Sequence, residues 1–203
     1  DDDTKNHGLL SFPAGMVYDS RRNPLDPHKG WYLTGDLEPF YDVFGESDPF
    51  TKVAVGARTY LDLLENPDVV LALRARLGAI AGGSRSDIPA TERFYAGGGD
   101  SIRGFGYQDA GPLDDDGDPL GGRSLAVGTA ELRFKFTDTI GAAAFVDAGS
   151  VSDSALPDMD NFSVGAGAGL RYYTSFGPLR FDVAVPVNRK DDLDRNYQIY
   201  ISI

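Results

Sequence analysis

The chain has 203 residues, enough for one domain, and its formal net charge of −12 argues against binding to a nucleic-acid backbone. It contains no cysteine, which excludes a disulfide framework and thiol chemistry. No run of about 18 apolar residues is present, which excludes a transmembrane helix. A barrel strand presents only alternate side chains to lipid, so the absence of a long apolar run does not exclude a membrane β-barrel.

Segments in which apolar and polar residues alternate recur along the whole chain. A period of two is typical of strands with one apolar face. The predicted strands cover residues 9–21, 31–40, 51–64, 69–81, 125–136, 140–151, 162–174, 179–187 and 197–203. Most of these nine segments are near the 9–11 residues, roughly, that a tilted strand needs to cross a bilayer. The sequence therefore predicts an all-β protein of about nine strands.

Alternation alone does not separate a membrane barrel from a soluble all-β domain, because both have strands with one apolar and one polar face. Two features favour the barrel. The polar faces mix charged residues with many glycines, as a lumen does. Aromatic residues recur near the strand ends, as in the girdles at membrane interfaces. These aromatic residues are Trp31, Phe40, Tyr172, Tyr173, Phe176 and Tyr197.

Residues 92–105, ERFYAGGGDSIRGF, begin a loop that reaches to about residue 124. The segment is too polar and too rich in glycine for a membrane strand. A long loop without periodicity inside a compact domain is uncommon and often functional. At its centre Arg103 is a single cation flanked by Ile102 on one side and by Gly104 and Phe105 on the other.

Four phrases in the second half of the chain carry a family resemblance. They are RFYAGGGDSIRGFGYQ, GGRSLAVGTAELRF, AAFVDAGSV and VGAGAGLRYYTSFGPLRFDVAVPV. In this order and spacing they resemble the C-terminal barrel of the outer-membrane assembly factors of the BamA/TamA superfamily, with wording most similar to the TamA type. The resemblance implies an antiparallel transmembrane β-barrel of about 16 strands, in which residues 1–203 form roughly the last nine. It also implies soluble POTRA domains before the barrel.

The resemblance further implies a site at the long loop, which folds back into the barrel. In the family, acidic residues of the following strands receive the arginine of an R-G-F/Y motif. Arg103 stands at that arginine's position, and the alternation directs Glu131 and Asp147 to the polar face. Gly104 would allow close backbone approach, and Phe105 would pack under the loop. The alternative is that Glu131 and Asp147 merely line a wet lumen.

The function implied by the resemblance is to insert, assemble or translocate autotransporters and other outer-membrane proteins in the bacterial outer membrane. The implied partners are client proteins, lipid and a TamB-like subunit that spans the periplasm. Tyr197, Ile199 and Ile201 would form one side of a weakly closed barrel seam; alternatively, they simply close the barrel. We expect no cofactor and no enzymatic activity.

Three other functions remain open at this point: a two-partner secretion porin, the barrel anchor of a surface enzyme, and a soluble binding module. Nothing in the sequence predicts a metal or catalytic site. His7 and His28 lie far apart in loop-like sequence. The acidic run at 114–118 lacks the spacing of a calcium loop, and the three glycines at 97–99 lack the context of a phosphate loop.

Overall fold

The structure is a computed structural model, and it describes residues 8–45, 47–65, 68–158, 162–188 and 196–203. These residues form ten strands and two short 3₁₀ turns, Arg85–Asp87 and Ala90–Glu92. No helix among them is long and apolar enough to span a membrane. The strands are β1 (Leu9–Ser11), β2 (Ala14–Asp19), β3 (Gly30–Asp42), β4 (Phe50–Glu65), β5 (Asp68–Ala81), β6 (Ser124–Lys135), β7 (Ile140–Ser152), β8 (Ser163–Thr174), β9 (Gly177–Pro186) and β10 (Gln198–Ser202).

All ten strands belong to one antiparallel sheet in which β3 to β10 pair with their neighbours in chain order. Both β1 and β2 pair with β3, so the ten strands occupy nine positions. The interruption follows from Pro13, which has no N–H to donate to the ladder. The all-β antiparallel prediction is confirmed, and the predicted first strand, 9–21, is divided into β1 and β2.

The two faces of the sheet have opposite character. The outer face is apolar and open: Leu170 is 62% exposed and Val185 is 45% exposed. The inner face buries charge, with Asp147 at 0% and Arg171 at 2% exposure. A soluble sandwich has the reverse arrangement, because its apolar face is the buried one. An apolar outer face and a polar interior are the arrangement of a membrane barrel.

The connection between β5 and β6, residues 82–123, lies against the inner face. It starts before the predicted loop, which ran from 92 to about 124. Its two ends are joined at Phe94 and Gly122, which exchange two backbone hydrogen bonds of 2.9 Å each. Further in, the Ala110 N–H donates to the Ala96 carbonyl at 2.9 Å, and the Gly98 N–H donates to the Phe105 carbonyl at 3.2 Å. We call residues 97–105 the loop tip.

The main apolar core lies between this loop and the inner face. Ile102 and Phe105 are 0% and 1% exposed, so the loop tip contributes fully buried side chains. Burying a large apolar side chain contributes about 1.5–3 kcal/mol, which favours the seated loop. The core residues are Phe40, Phe50, Ile80, Ile88, Phe94, Ala96, Ile102, Phe105, Ala110, Leu125, Val127 and Val151.

Candidate functional site

Arg103 is the centre of a buried ionic cluster on the inner face. Its Nε and Nη2 donate to the two carboxylate oxygens of Asp147 at 2.7 and 3.1 Å. Its Nη1 donates to Glu131 at 3.0 Å and to Asp182 at 3.1 Å. Its backbone N–H donates to Asp147 as well, at 3.1 Å. One side chain of the loop tip is thereby joined to three strands: β6, β7 and β9.

Two further arginines balance the three carboxylates. Arg171 of β8 contacts Asp182 and donates to Glu131 at 3.2 Å. Arg133 of β6 donates to Glu131 at 2.8 Å. The cluster therefore contains three guanidinium groups and three carboxylates. We call Arg103 with Glu131, Asp147 and Asp182 the clasp; Arg171 and Arg133 neutralise its remaining charge.

Burial makes each partner of the clasp depend on the others. Arg103 is 8% exposed, while Glu131 and Asp182 are each 4% exposed. Burial opposes the charge of Arg103, but the hydrogen bonds and charges of Asp147 and Glu131 raise the pKa of its guanidinium above the usual value. Arg103 is therefore charged at every physiological pH. Removing one partner of a buried ion pair costs about 3–5 kcal/mol, because the other charge stays buried.

The ring of Phe145 supports the guanidinium from below. The Cζ of Arg103 lies 3.3 Å from the centroid of this ring, which is a cation–π contact. Gly167 of β8 leaves room for the ring, since a Cβ there would come within 2.5 Å of it. The loop backbone is closer still, since a Cβ at Gly165 would lie 1.7 Å from the Arg103 carbonyl oxygen. The glycines of β8 thus admit both the loop and its aromatic support.

Gly104 brings the loop backbone against β9. Its φ of +103° lies in a region that residues with a Cβ rarely adopt. A Cβ at this position would also lie 2.7 Å from the Val185 carbonyl. On the other side of the turn, the Tyr200 hydroxyl of β10 accepts a hydrogen bond from the Gly104 N–H at 3.0 Å. The same hydroxyl donates to the Phe105 carbonyl at 2.9 Å.

Arg74 of β5 holds the opposite side of the loop tip. It donates to the backbone carbonyls of Asp100 and Ser101 at 2.8 and 3.0 Å, and to Thr129 at 3.2 Å. The loop tip is therefore bound to five strands through the clasp, Arg74 and Tyr200. A segment with so many polar anchors is held in one position rather than simply packed against a wall.

The residues predicted for a barrel seam lie on the last strand or next to it. Tyr197, Ile199 and Ile201 are 57%, 52% and 79% exposed, respectively. Five residues of β10, 198–202, pair with residues 180–184 of β9. Within the parts of the chain that the structure describes, no strand pairs with the other edge of β10.

The structure brings together all five residues of the predicted loop site. Arg103 contacts Glu131 and Asp147, while Gly104 and Phe105 form the adjoining turn. The other residues of the site were not assigned from the sequence, although the alternation of inward and outward residues along each strand was a signal for some of them. Asp182 and Tyr200 both stand at polar-face positions of their strands, as do Glu131 and Asp147. The contributors not assigned are Asp182, Arg171, Arg133, Phe145, Arg74, Tyr200 and the glycines of β8.

Two other polar groups do not extend the site. The carboxylate of Asp114 accepts the backbone N–H groups of Asp116 and Asp118 at 3.0 and 2.8 Å, so it closes a turn. The ligand atoms of His28, Asp62 and Asp68 lie within 4.8 Å of one another. Lys29 already pairs with Asp62 at 3.3 Å, so ion pairing accounts for part of this group.

Comparisons with known proteins show which family the sequence matches. The sequence matches the Omp85 superfamily domain over residues 1–203. The outer membrane protein assembly factor BamA of Nitratidesulfovibrio vulgaris is 35% identical over 153 residues, which are 73% of this chain and 19% of the relative. A SAM50-like protein of Schizosaccharomyces pombe is 26% identical over 184 residues, which are 83% of this chain and 38% of that protein.

A solved structure extends the comparison to the fold. The crystal structure of BamA from Haemophilus ducreyi lacking POTRA domains 1–3 superposes with a TM-score of 0.76 at 22% identity. The match covers 94% of this chain and 41% of that chain. This chain therefore spans less than half the length of each of these three proteins.

Proposed function

The chain belongs to the Omp85 superfamily, and on that premise we propose that it is the barrel part of a factor that inserts and assembles other proteins in the bacterial outer membrane. The name of one relative supports this: the BamA of Nitratidesulfovibrio vulgaris is an outer membrane protein assembly factor. The apolar outer face supports a position in lipid. This name describes an assembly factor and not an enzyme, and the proposed role makes no covalent bond.

The observation that carries the proposal is the clasp. Arg103 joins the loop tip to β6, β7 and β9, so the wall beside the last strand is fixed from the inside. Next to this fixed wall, no strand of the described residues pairs with the outer edge of β10. Such an edge is a template on which another strand can pair, and backbone pairing needs no particular side-chain sequence. A rigid wall beside an open edge suits a factor that handles many client strands.

In this account Tyr197, Ile199 and Ile201 form one side of the seam at which a client enters. Their exposed side chains would face lipid, while the backbone of β10 presents the pairing groups. The clasp keeps the loop inside the lumen, where its tip also contacts Tyr200 of β10. We expect a loosened loop to disorder the wall behind β10 and to slow the pairing of client strands.

The test compares Arg103→Ala with the unaltered sequence in the full-length protein, reconstituted in phospholipid vesicles. The readout is the rate at which an unfolded outer-membrane protein becomes folded and protease-resistant. We expect Arg103→Ala to lower this rate at least about tenfold, since three carboxylates lose their shared partner. Barrel insertion, measured by the heat-dependent shift in gel migration, should persist.

Arg76→Ala is the matched control. Arg76 is an exposed arginine on the inner face of β5. Its removal takes away the same charge without touching the clasp, so client folding should continue at the normal rate. A normal rate in Arg103→Ala, with the loop cleaved by protease no faster than before, would refute the proposed role of the clasp.

The finer assignment to autotransporter clients and a TamB-like partner rests on the wording of the motif phrases alone. The test is to compare client classes in the same vesicles. A preference for autotransporters over simple barrels would support it, and equal rates for both would count against it.

A further inference from the structure

Tyr200 is the only residue of β10 that donates and accepts side-chain hydrogen bonds with the loop tip among the residues that the structure describes. Its hydroxyl uses both its acceptor and its donor capacity on successive residues, Gly104 and Phe105. Its ring lies against the tip as well, since a Cβ at Gly99 would come within 3.2 Å of it. The Tyr200 side chain is half-buried.

The two bonded residues directly follow Arg103. The clasp therefore fixes one side of this turn, and Tyr200 fixes the other. Gly104 stands between them with its backbone against Val185 of β9, where there is no room for a Cβ. A movement of β10 away from β9 would pull the hydroxyl off a turn that the clasp holds in place.

The remaining support of β10 is limited. It pairs with β9 over five residues, 198–202, whereas β8 pairs with β9 over ten, 165–174. Among the described residues, its side chains at 199 and 201 are 52% and 79% exposed on the outer face, so they add little packing. The two hydrogen bonds of Tyr200 are therefore a substantial part of what keeps β10 in place.

We propose that Tyr200 is a positioning residue that couples the last strand to the loop tip. When β10 separates from β9, the Gly104–Phe105 turn loses its support; when the loop tip is seated, β10 is held on β9. Energetic coupling of this kind is reciprocal, so each element must stabilise the other to the same extent. The proposal builds on the proposed function in one respect, namely that β10 is the strand beside which clients enter.

The first test uses Tyr200→Phe, which removes only the hydroxyl. Amide hydrogen exchange is measured in the full-length protein in vesicles, at Gly98 and Arg103 in the tip and at residues 198–202 in β10. We expect exchange to become about five- to tenfold faster at both places, the effect of losing hydrogen bonds of ordinary strength. Tyr172→Phe, an exposed tyrosine of the outer face of β8, is the matched control and should change neither.

Each pattern of exchange decides whether Tyr200 couples β10 to the loop tip. Faster exchange in both the tip and β10 supports the coupling. Faster exchange in the tip alone would make Tyr200 a loop anchor and would overturn the coupling. Unchanged exchange at both places would overturn it as well.

The second test locks the strand instead of releasing it. Residues 1–203 contain no cysteine, and Phe181→Cys with Ile201→Cys introduces a pair at two residues that lie opposite each other in the ladder of β9 and β10. We expect the oxidised form to slow exchange in the loop tip relative to the reduced form, and Tyr200→Phe to abolish this difference. The same slowing with and without the hydroxyl would show that another contact carries the coupling and would overturn the proposal.

These measurements use no client, so their outcome is separate from that of the proposed function. If the unaltered protein assembles no client, the proposed function fails, and if Arg103→Ala assembles clients at the normal rate, the proposed role of the clasp fails; in both cases the exchange data still decide on Tyr200. If Tyr200→Phe leaves exchange unchanged while Arg103→Ala blocks assembly, the coupling fails and the proposed function stands.

Discussion

At the scale of single residues, the clasp depends on the planar fork of an arginine. Arg103 bonds Asp147 through two nitrogens and reaches Glu131 and Asp182 with a third. The ammonium group of a lysine is a point charge on a flexible stem and cannot reproduce this geometry. The flat guanidinium also lies over the Phe145 ring, which a lysine would contact less well.

We therefore predict that Arg103→Lys keeps the loop charge but loses most of the clasp. Proteolysis of the loop in the inserted barrel should become faster by on the order of tenfold, with a smaller effect than that of Arg103→Ala. Time courses of limited digestion, followed on gels of the heated protein, measure this. A lysine variant as resistant as the unaltered protein would mean that charge alone holds the loop.

The alternation of apolar and polar residues predicts that Glu131 and Asp147 share the polar face. The family motif directs attention to Arg103. Asp182 also lies on the polar face of its own strand, but nothing in the sequence tells which inward carboxylate lies within reach of one guanidinium. That depends on how far the loop descends and on how strands β6 to β9 are staggered. The role of these contacts in assembly remains a prediction.

At the scale of elements, β8 is shaped to receive the loop. Its inner face carries Gly165, Gly167 and Gly169, where side chains would meet the Arg103 backbone, the Phe145 ring and the Asp182 carboxylate, respectively. Glycine in a strand interior weakens the strand, so these three positions trade some strand stability for close approach. The alternation of the sequence shows β8 as a strand with small inward residues, but not what fills the space.

Gly165→Ala tests this fit. Its Cβ would come within 1.7 Å of the Arg103 carbonyl oxygen, so the loop must move away from the wall. We expect faster digestion of the loop with barrel insertion retained. Gly128→Ala in β6 is the control, since the nearest atom to its Cβ is 3.8 Å away. Equal resistance of the two variants would contradict the close fit of loop and strand.

The strands themselves follow from the period of two, because each has one face in contact with lipid and one in contact with the lumen. The loop at 82–123 has no period, so its ends and its inward course could not be derived from the alternation. Its place against the inner face depends on long-range partners in β5 to β10. Only the family resemblance implied that it folds back into the barrel.

At the scale of the whole molecule, the apolar side chains lie on the outer surface and the charged side chains lie in the interior, which is the reverse of a soluble protein. Leu170, Phe181 and Ile201 are open on the outer face, while the ion pairs are buried within. In water such an apolar surface would favour aggregation. In a bilayer the same surface is in contact with hydrocarbon, as in other membrane barrels.

The outer face yields a prediction on stability. Leu170→Lys places a charge on the outer face, at a position where Leu170 is 62% exposed. A lysine on the lipid face near the midplane costs about 2–4 kcal/mol, with less effect closer to the interface. Denaturant unfolding in vesicles should show this loss, whereas Leu170→Phe should be nearly neutral. Equal stability of the two variants would mean that this face is not in contact with lipid.

The main prediction is that Arg103 keeps the loop tip seated inside the barrel. Its most direct test is amide hydrogen exchange at residues 97–105 in the full-length protein in vesicles, compared between the unaltered sequence, Arg103→Ala and Arg76→Ala. We expect slow exchange in the unaltered protein and in Arg76→Ala, and exchange faster by at least about a hundredfold in Arg103→Ala. Equally slow exchange in all three proteins would contradict it.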